Sequence, residues 1–357
     1  MFTLLVVYPL LAFAAVYLSY VAYCEIKGYM RGRFYEKQGI PFVYNPLIGM
    51  TKILVGGDKK DPSSLHKKMA DKYYKEGIAT FNLMGRPSNE LLLISPEICK
   101  EFLAKEVECT KRKPYNNFPL NLGFFFEQGH QALKNRHIFS KFFVPVNLDK
   151  MIPRINRIIK AKIQEAKKTF WTEKETGAEL KKINFHEFTL DMFESIILDI
   201  MFGDNKPPTI EGKRLPSYII STLDLFKKAA TSTKNILTFG LLGRFGVFSD
   251  YNEASRRSKL THSTIIQTYR EVEKENKKRG INLVDQMIEH NKHARAEGLT
   301  DEILSDSQIV GNMELLMFAG SDTTRLMTNS HMYYLSKNLK QQVQLYNHLK
   351  STPLMNR

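Results

Sequence analysis

The chain opens on residues 2–24, an apolar run without one charged side chain that includes Tyr8, Tyr17, Tyr20 and Tyr23. At about 1.5 Å per residue, a helix of this length covers the roughly 30 Å of a bilayer core. Tyrosine rings suit the membrane–water boundary. Lys27, Arg31 and Arg33 follow, with nothing basic before them. The positive-inside rule therefore predicts a transmembrane signal anchor over 1–24, with a lumenal N-terminus and a cytoplasmic body. A cleaved signal peptide is the alternative, with Ala12-Phe13-Ala14 as its cleavage site. Against it, the basic n-region is missing and the apolar run continues to Cys24. Residues 25–50 read as a basic, proline-containing linker. The stretch from Gly39-Ile40-Pro41 to Pro46 is stiff and extended, because proline fixes φ and restrains the residue before it.

Beyond residue 63 the apolar positions recur mostly at helical spacing. A helix is predicted over 63–76. Two short apolar runs, 78–84 and 90–94, flank Gly85-Arg86-Pro87-Ser88-Asn89 and form a predicted hairpin. Ser95-Pro96-Glu97 starts the next helix, with serine at the cap and proline at the first helical position. Residues 118–129 and 205–216 read as loops, and 129–143, 151–170 and 184–202 as helices. In the second of these, Ile152, Ile155, Ile159 and Ile163 make an apolar stripe with cations between. The last large element spans 300–338. The body is thus predicted to be mainly α with a small β-sheet near its start.

The final helix has an unusual interior. Ser305-Asp306-Ser307-Gln308 has the form of a capping box. Ile309, Val310, Met313, Leu315, Leu316, Met317 and Phe318 then make the helix apolar nearly all round, as expected of a buried element. Ala319-Gly320-Ser321-Asp322-Thr323-Thr324 interrupts it. Glycine costs about 1 kcal/mol in a helix interior. A carboxylate is costly to bury without a partner, and paired threonines restrict rotamers. Local rules broken together in a buried helix mark either a functional site or a structural kink. A hydroxyl at 323 can bond the carbonyl of Ala319 and open such a kink. An adjacent acid can move protons.

Composition adds limits. The apolar and charged fractions are those of a globular protein. Cys24, Cys99 and Cys109 make neither a disulfide framework nor a CxxC pair. HExxH, P-loop and GxSxG elements are absent. The 52 Lys+Arg against 37 Asp+Glu leave a net charge of +15. That balance suits nucleic acid, a membrane surface or an acidic partner. The cations are spread over amphipathic helix faces, and no nucleic-acid-binding motif accompanies them, so no nucleic-acid partner is expected.

The segment Ala319-Gly320-Ser321-Asp322-Thr323-Thr324 resembles the oxygen-activating helix motif of the cytochrome P-450 family, the haem-thiolate monooxygenases. Other stretches agree in the right order. Gly129 through Arg136 resembles the family's Gly-x-x-Trp-x-x-x-Arg helix, and Leu198 through Gly203 a helix end closing on Phe-Gly. Residues 282–287 and 299–303 resemble the run into the motif helix, and 332–350 the helix after it. The resemblance implies a cytochrome P-450-like fold that binds haem. It implies a membrane-bound monooxygenase of the endoplasmic reticulum that inserts one oxygen atom from O2 into an apolar, lipid-like or xenobiotic small-molecule substrate. NADPH would supply electrons through a flavoprotein reductase, whose acidic surface Lys134, Arg136, His137 and Lys141 would suit; solvation is the alternative reading of those cations. Asp322 and Thr323 match the acid–alcohol pair that delivers protons. Ala319, Gly320 and Thr323 match positions near the haem, and Arg136 the arginine of a haem propionate. Phe124, Phe125, Phe126, Met317 and Phe318 are candidates for the substrate wall or for ordinary core packing. The apolar stretch 235–248 could dip into a bilayer or pack as a loop.

The departures are as informative. The family's tryptophan falls at Ala132. The axial ligand is expected to be a cysteine after the motif helix, yet residues 325–357 contain no Cys, Asp or Glu. Neither Cys99 nor Cys109 lies in the required glycine context, and Glu253-Ala254-Ser255-Arg256 precedes the motif helix instead of following it. Against the family pattern the chain reads as lacking its C-terminal quarter, with 51–357 a partial haem-monooxygenase domain and no metal ligand of its own. The rival readings are a non-catalytic, membrane-anchored lipid-binding or scaffold protein derived from the family, and an unrelated helical interaction protein.

Overall fold

The computed structural model describes residues 2–46, 70–82, 89–105, 123–125, 129–175, 184–203, 205–230, 249–275 and 282–352, together with Lys67, Leu120 and Glu127. Most of the helix predicted over 63–76, the hairpin turn 85–88, Cys109, Phe126 and the stretch 235–248 lie outside the described residues. The chain divides into two compact units, Met1–Cys109 and Thr110–Arg357.

In the first unit α1 (Phe2–Glu36) precedes a three-stranded sheet of β1 (Phe42–Val43), β2 (Ile78–Asn82) and β3 (Asn89–Leu93), closed by α2 (Pro96–Ala104). β1 pairs parallel to β2, and β2 antiparallel to β3, with Thr80 opposite Leu91. Ala79 and Phe81, on the face of β2 that alternates with Thr80, form a small core. Ser95 caps α2 by accepting from the Ile98 amide, with Pro96 in the first turn, as its sequence predicts.

α1 departs from expectation in two ways. Among the described residues no helix is long and apolar enough to cross a membrane, so the transmembrane anchor over 1–24 is not supported. The helix also runs on to Glu36, through the stretch read as a linker from residue 25. Its later turns contain Glu25, Lys27, Arg31 and Arg33, good helix formers, and they are seated by packing. Cys24, Gly28 and Gly32 recur at four-residue spacing and are buried. A Cβ on Gly32 would lie 2.1 Å from the Phe42 ring, so only glycine lets β1 approach this closely. Tyr29 meets Tyr44 edge-on at 5.1 Å, and the Tyr44 hydroxyl donates to Glu25 at 2.9 Å. Burial, then the Glu25 carboxylate, pushes the Tyr44 phenol up to about 12.

The second unit is helical. A 3-10 turn (Gly123–Phe125) leads into α3 (Gly129–Ser140), a second 3-10 turn (Lys141–Phe143), α4 (Pro145–Glu175) and α5 (Phe185–Phe202). A two-stranded ribbon, β4 (Thr209–Ile210) and β5 (Lys213–Arg214), precedes α6 (Leu215–Ala230), α7 (Ser249–Lys274) and α8 (Leu283–Ala296). After the 3-10 turn Thr300–Glu302 come α9 (Asp306–Phe318), a π-helical segment (Ala319–Thr323), α10 (Thr324–Lys337) and α11 (Leu339–Ser351). One core of large side chains joins them, with Met201, Phe202, Tyr218, Ile265, Met287 and Met313 almost fully buried. α5 ends at Gly203, whose φ of 60° belongs to the left-handed region. A Cβ there would also meet the Asn282 side chain at 2.7 Å.

Candidate functional site

The motif segment lies where the most buried helix of the unit loses its cover. Ser305 accepts from the Gln308 amide, while the Gln308 side chain accepts from the Ser305 amide at 2.9 Å, completing the predicted capping box. α9 then buries Ile309, Val310, Met313, Leu315 and Met317 against α5, α6, α7 and the 123–125 turn. Asn312 and Glu314 are buried with them. At Ala319 the hydrogen-bond ladder widens into one π-helical stretch. The Thr323 hydroxyl donates to the Ala319 carbonyl and the Ser321 hydroxyl to the Met317 carbonyl. These are the four-residue back-bonds through which such side chains compete with a helix ladder. Single π turns of this kind concentrate at functional sites.

The bulge has two unlike sides. A Cβ on Gly320 would lie 2.7 Å from Ile197 Cδ1, so this glycine serves close packing on α5. Ser321 is fully buried. The other side is open: Leu316 and Ala319 are half-buried, Thr323 is exposed, and Leu326 and Met327 are 51% and 60% exposed. Apart from the Thr323 hydroxyl these five side chains are apolar, and Leu316 among them packs against the core.

Asp322 has a partner that sequence reasoning missed. Arg325, one turn on, donates Nη2 to its carboxylate and places Nη1 2.6 Å from His186 Nε2 on α5. Nη1 also lies 3.0 Å from His186 Nδ1, so the guanidinium sits against the imidazole ring and not in line with one of its nitrogens. One turn further along each helix, the Thr189 hydroxyl lies 2.9 Å from Asn329 Oδ1. The Asp322–Arg325 spacing is legible as a helix ion pair. Nothing local to His186 signals its role, 139 residues away.

The remaining candidates scatter. Arg136 is exposed on α3, and Ala132 is buried at 8% exposure, so the family's tryptophan position is filled by core packing. Met317 is fully buried among core side chains and does not line an open wall. Phe318 packs partly buried against the same core. Phe125 is 58% exposed; the Phe124 side chain and Phe126 lie outside the described residues. The structure does tie this turn to the motif helix. Asn312 Nδ2 donates to Asn135 Oδ1 at 2.9 Å, and Asn135 Nδ2 to Glu127 at 2.8 Å, with both asparagines fully buried. A Cβ on Gly123 would fall 2.0 Å from Asn312 Oδ1. Satisfied buried networks of this kind fix one arrangement of the elements they join.

The residues present meet half of what a haem requires. Ala319, Thr323, Leu326 and Met327 offer uncovered or half-covered apolar surface with one hydroxyl. A thiolate donor facing it is not among residues 325–357, and Cys24 and Cys99 belong to the first unit. Among the described residues no cluster of His, Cys, Asp or Glu could hold a metal ion.

Comparison with known proteins agrees on the family pattern. The family model described as "Cytochrome P450" matches residues 41–352. Among solved structures, a cyanobacterial CYP120A1 with retinoic acid bound superposes with a TM-score of 0.60 at 13% identity, a likeness of fold. The match covers 88% of this chain and 64% of that one, so the chain spans less than two thirds of the length of that structure. No curated protein matches the chain.

Proposed function

The chain belongs to the cytochrome P450 family, and from that premise we propose that it supplies the oxygen-side wall of a monooxygenase acting on an apolar small molecule. Family membership supports an oxidoreductase activity and a haem cofactor in general. The finer reading is our own. The substrate is lipid-like or xenobiotic, and one oxygen atom from O2 enters it. NADPH provides electrons through a flavoprotein reductase that meets the basic residues of α3, Lys134, Arg136 and His137, with Lys141 beyond. The setting is the cytoplasmic face of the endoplasmic reticulum. Haem, where bound, supplies the oxygen activation.

The observation that carries this reading is the π-helical segment with its exposed Thr323. A helix stabilised only by burial has no use for an acid, a glycine and two threonines together. Here the bulge leaves Ala319 and Thr323 on an uncovered face while Gly320 packs on α5. Ala319 and Thr323 would lie against the cofactor, Arg136 would pair with an acidic substituent of it, and Phe125 and Phe318 would help to exclude water. The Thr323 hydroxyl can hold a proton on the open face, and Asp322 can replenish it.

A second reading rests on one specific observation, that the family's tryptophan donor is replaced by the buried Ala132. A non-catalytic scaffold or lipid-binding protein of the family needs no such donor. A haem titration of the 357-residue chain tests the axial-donor assignment. Carbon monoxide added to the reduced, haem-treated chain should not give the long-wavelength band of a thiolate-ligated haem. If the band appears, Cys24, Cys99 or Cys109 ligates iron and our donor assignment fails.

The catalytic assignment is tested in the haem-loaded protein with reductase and NADPH. Thr323→Ala should lower product formation by about 10²–10⁴-fold while peroxide takes up the reducing equivalents. Thr323→Ser should keep most of the coupling. Equal coupling in both variants and wild type removes Thr323 from the chemistry.

A further inference from the structure

Glu127, Asn135 on α3 and Asn312 on α9 form a chain of hydrogen bonds that has a direction. Asn135 Nδ2 donates to the Glu127 carboxylate at 2.8 Å, and Asn312 Nδ2 donates to Asn135 Oδ1 at 2.9 Å. A carboxylate only accepts, so Glu127 must receive the amide end of Asn135. That turns the Asn135 oxygen to Asn312, which answers with its own amide end. The oxygen of Asn312 is then left toward the 123–125 turn, where a Cβ on Gly123 would lie 2.0 Å from it and 2.7 Å from the Asn312 backbone nitrogen. Gly123 also has a φ of 44°, so close approach and backbone conformation both call for glycine. Glu127 is tied back to the same turn, its amide donating to the Gly123 carbonyl at 3.3 Å. Both asparagines are fully buried, where a carboxamide with the wrong end toward its neighbour leaves two polar groups desolvated and unpaired.

We propose that Asn312 is a positioning residue for the 123–125 turn, and that the Glu127 carboxylate sets its orientation through Asn135. The relay holds the turn at one height on the motif helix. Ala319 follows Asn312 by seven residues, two turns and about 10 Å along the same side of α9. The turn, on which Phe125 is 58% exposed, therefore stands at the head of the helix side that ends in Ala319. Under the monooxygenase reading, on which this last step rests, the relay fixes the end wall of the space beside Ala319. Asparagine suits position 312 because it offers a donor toward Asn135 and an acceptor toward the turn. Aspartate lacks the donor, and leucine lacks both.

The test is amide hydrogen exchange of residues 123–127 in the 357-residue chain above neutral pH, with α8 as internal reference. Asn312→Asp keeps the side-chain volume but sets Asn135 between two groups that only accept. Exchange in 123–127 should rise about tenfold or more, leaving α8 unchanged. Glu127→Gln alone should stay within about threefold of wild type, because a glutamine oxygen still accepts from Asn135. Together the two changes reverse the relay. The new amide at 127 donates to Asn135 Oδ1, Asn135 Nδ2 donates to the new carboxylate at 312, and an oxygen at 312 still meets the turn. Glu127→Gln should therefore slow exchange in the Asn312→Asp background, a non-additivity that a space-filling role does not produce. Faster or unchanged exchange in the double variant overturns the proposal, and so does wild-type exchange in Asn312→Asp. If Asn312→Asp alone fails to fold, the double variant must fold, and failure of both overturns it. The measurement needs no haem, reductase or turnover, so failure of the monooxygenase reading, tested by Thr323→Ala, leaves its outcome intact.

Discussion

α9 and the α10–α11 pair follow one another along the chain and carry comparable large apolar side chains, yet they are held in opposite ways. α9 is buried on nearly every side, with Ile309, Val310, Met313 and Met317 at 1% exposure or less. α10 buries only Arg325, and α11 buries nothing. Meanwhile Tyr333, Tyr334 and Leu339 stand 61%, 64% and 72% exposed. Apolar content does not explain the contrast. α9 has α5, α6, α7 and the 123–125 turn around it, while the main partners of α10 among the described residues are α5, the π-helical segment and α11. Burial is non-directional and grips α9 as a whole. α10 depends on directional polar contacts, the Arg325 fork and the Thr189–Asn329 pair. The π-helical segment sits where one mode of support gives way to the other. A bulge can be kept there without disturbing the core.

The hardest test of the comparison is to hollow out α9. Met313→Ala removes a fully buried side chain from the middle of the core cluster. Transfer and cavity costs together should reduce stability by about 2–5 kcal/mol, read from the urea midpoint. A loss under about 1 kcal/mol would mean that α9 is no better supported than α10, and the contrast would collapse.

A smaller effect probes α5, which lies against both halves. Glu194 is buried at 4% exposure and accepts from the Ser217 hydroxyl. Burial raises its carboxyl above the ordinary 4.5, against the opposing help of Ser217 and Arg214. The sign follows from linkage. The unfolded chain gives up this proton at the ordinary value and the folded chain only above it. The stability Glu194 contributes is therefore complete below 4.5 and is lost as pH rises through the raised folded value. Glu194→Gln keeps the shape of the neutral form and has no proton to lose. Urea midpoints of wild type and Glu194→Gln should converge at low pH and separate progressively above 4.5, with the variant the more stable. Asp191, Glu253 and Glu273 are held low and lose stability in acid instead, and this is common to both proteins. A pH-independent difference would show that Glu194 is ionised in the fold.

Much of the fold is legible in the residues because the signals are local. The Ser305–Gln308 box, the Ser95-Pro96 start of α2, the Gly203 end of α5 and the Thr323 back-bond to Ala319 each depend on neighbours within four positions. The failures are of another kind. Residues 25–36 continue a helix in which Gly32 receives Phe42 of β1, a contact that local pattern does not contain. For Met317 the residues leave wall and core both open, and the structure places it among core side chains. Gly320 matches a haem-side position by resemblance, and its close packing on Ile197 is a further contact that local pattern does not contain. His186, Asn135 and Asn312 take their roles from pairings far apart in sequence.

The smallest effect belongs to the exposed side of the comparison. Leu339 and Tyr334 are large apolar residues, so a reading from residue type alone would rank them with Met313. Their exposure argues otherwise, because a side chain still in contact with water in the folded chain gains little from folding. Leu339→Ser and Tyr334→Ser should each change stability by no more than about 0.5 kcal/mol, within the range of ordinary surface substitutions. The thermal midpoint of a dilute sample checks this, beside Met313→Ala under the same conditions. Serine lowers helix propensity by only a few tenths of a kcal/mol relative to leucine, so the local cost stays inside that margin. A loss above about 1 kcal/mol would mean that something covers α10 and α11 in solution. Dilution then identifies it. If the excess cost disappears as the chain is diluted, the cover is a second copy, because association stabilises the folded chain by mass action. Residues 325–357 carry cations and no acid, so two such faces would repel each other. The expected result is therefore a small cost that does not depend on concentration.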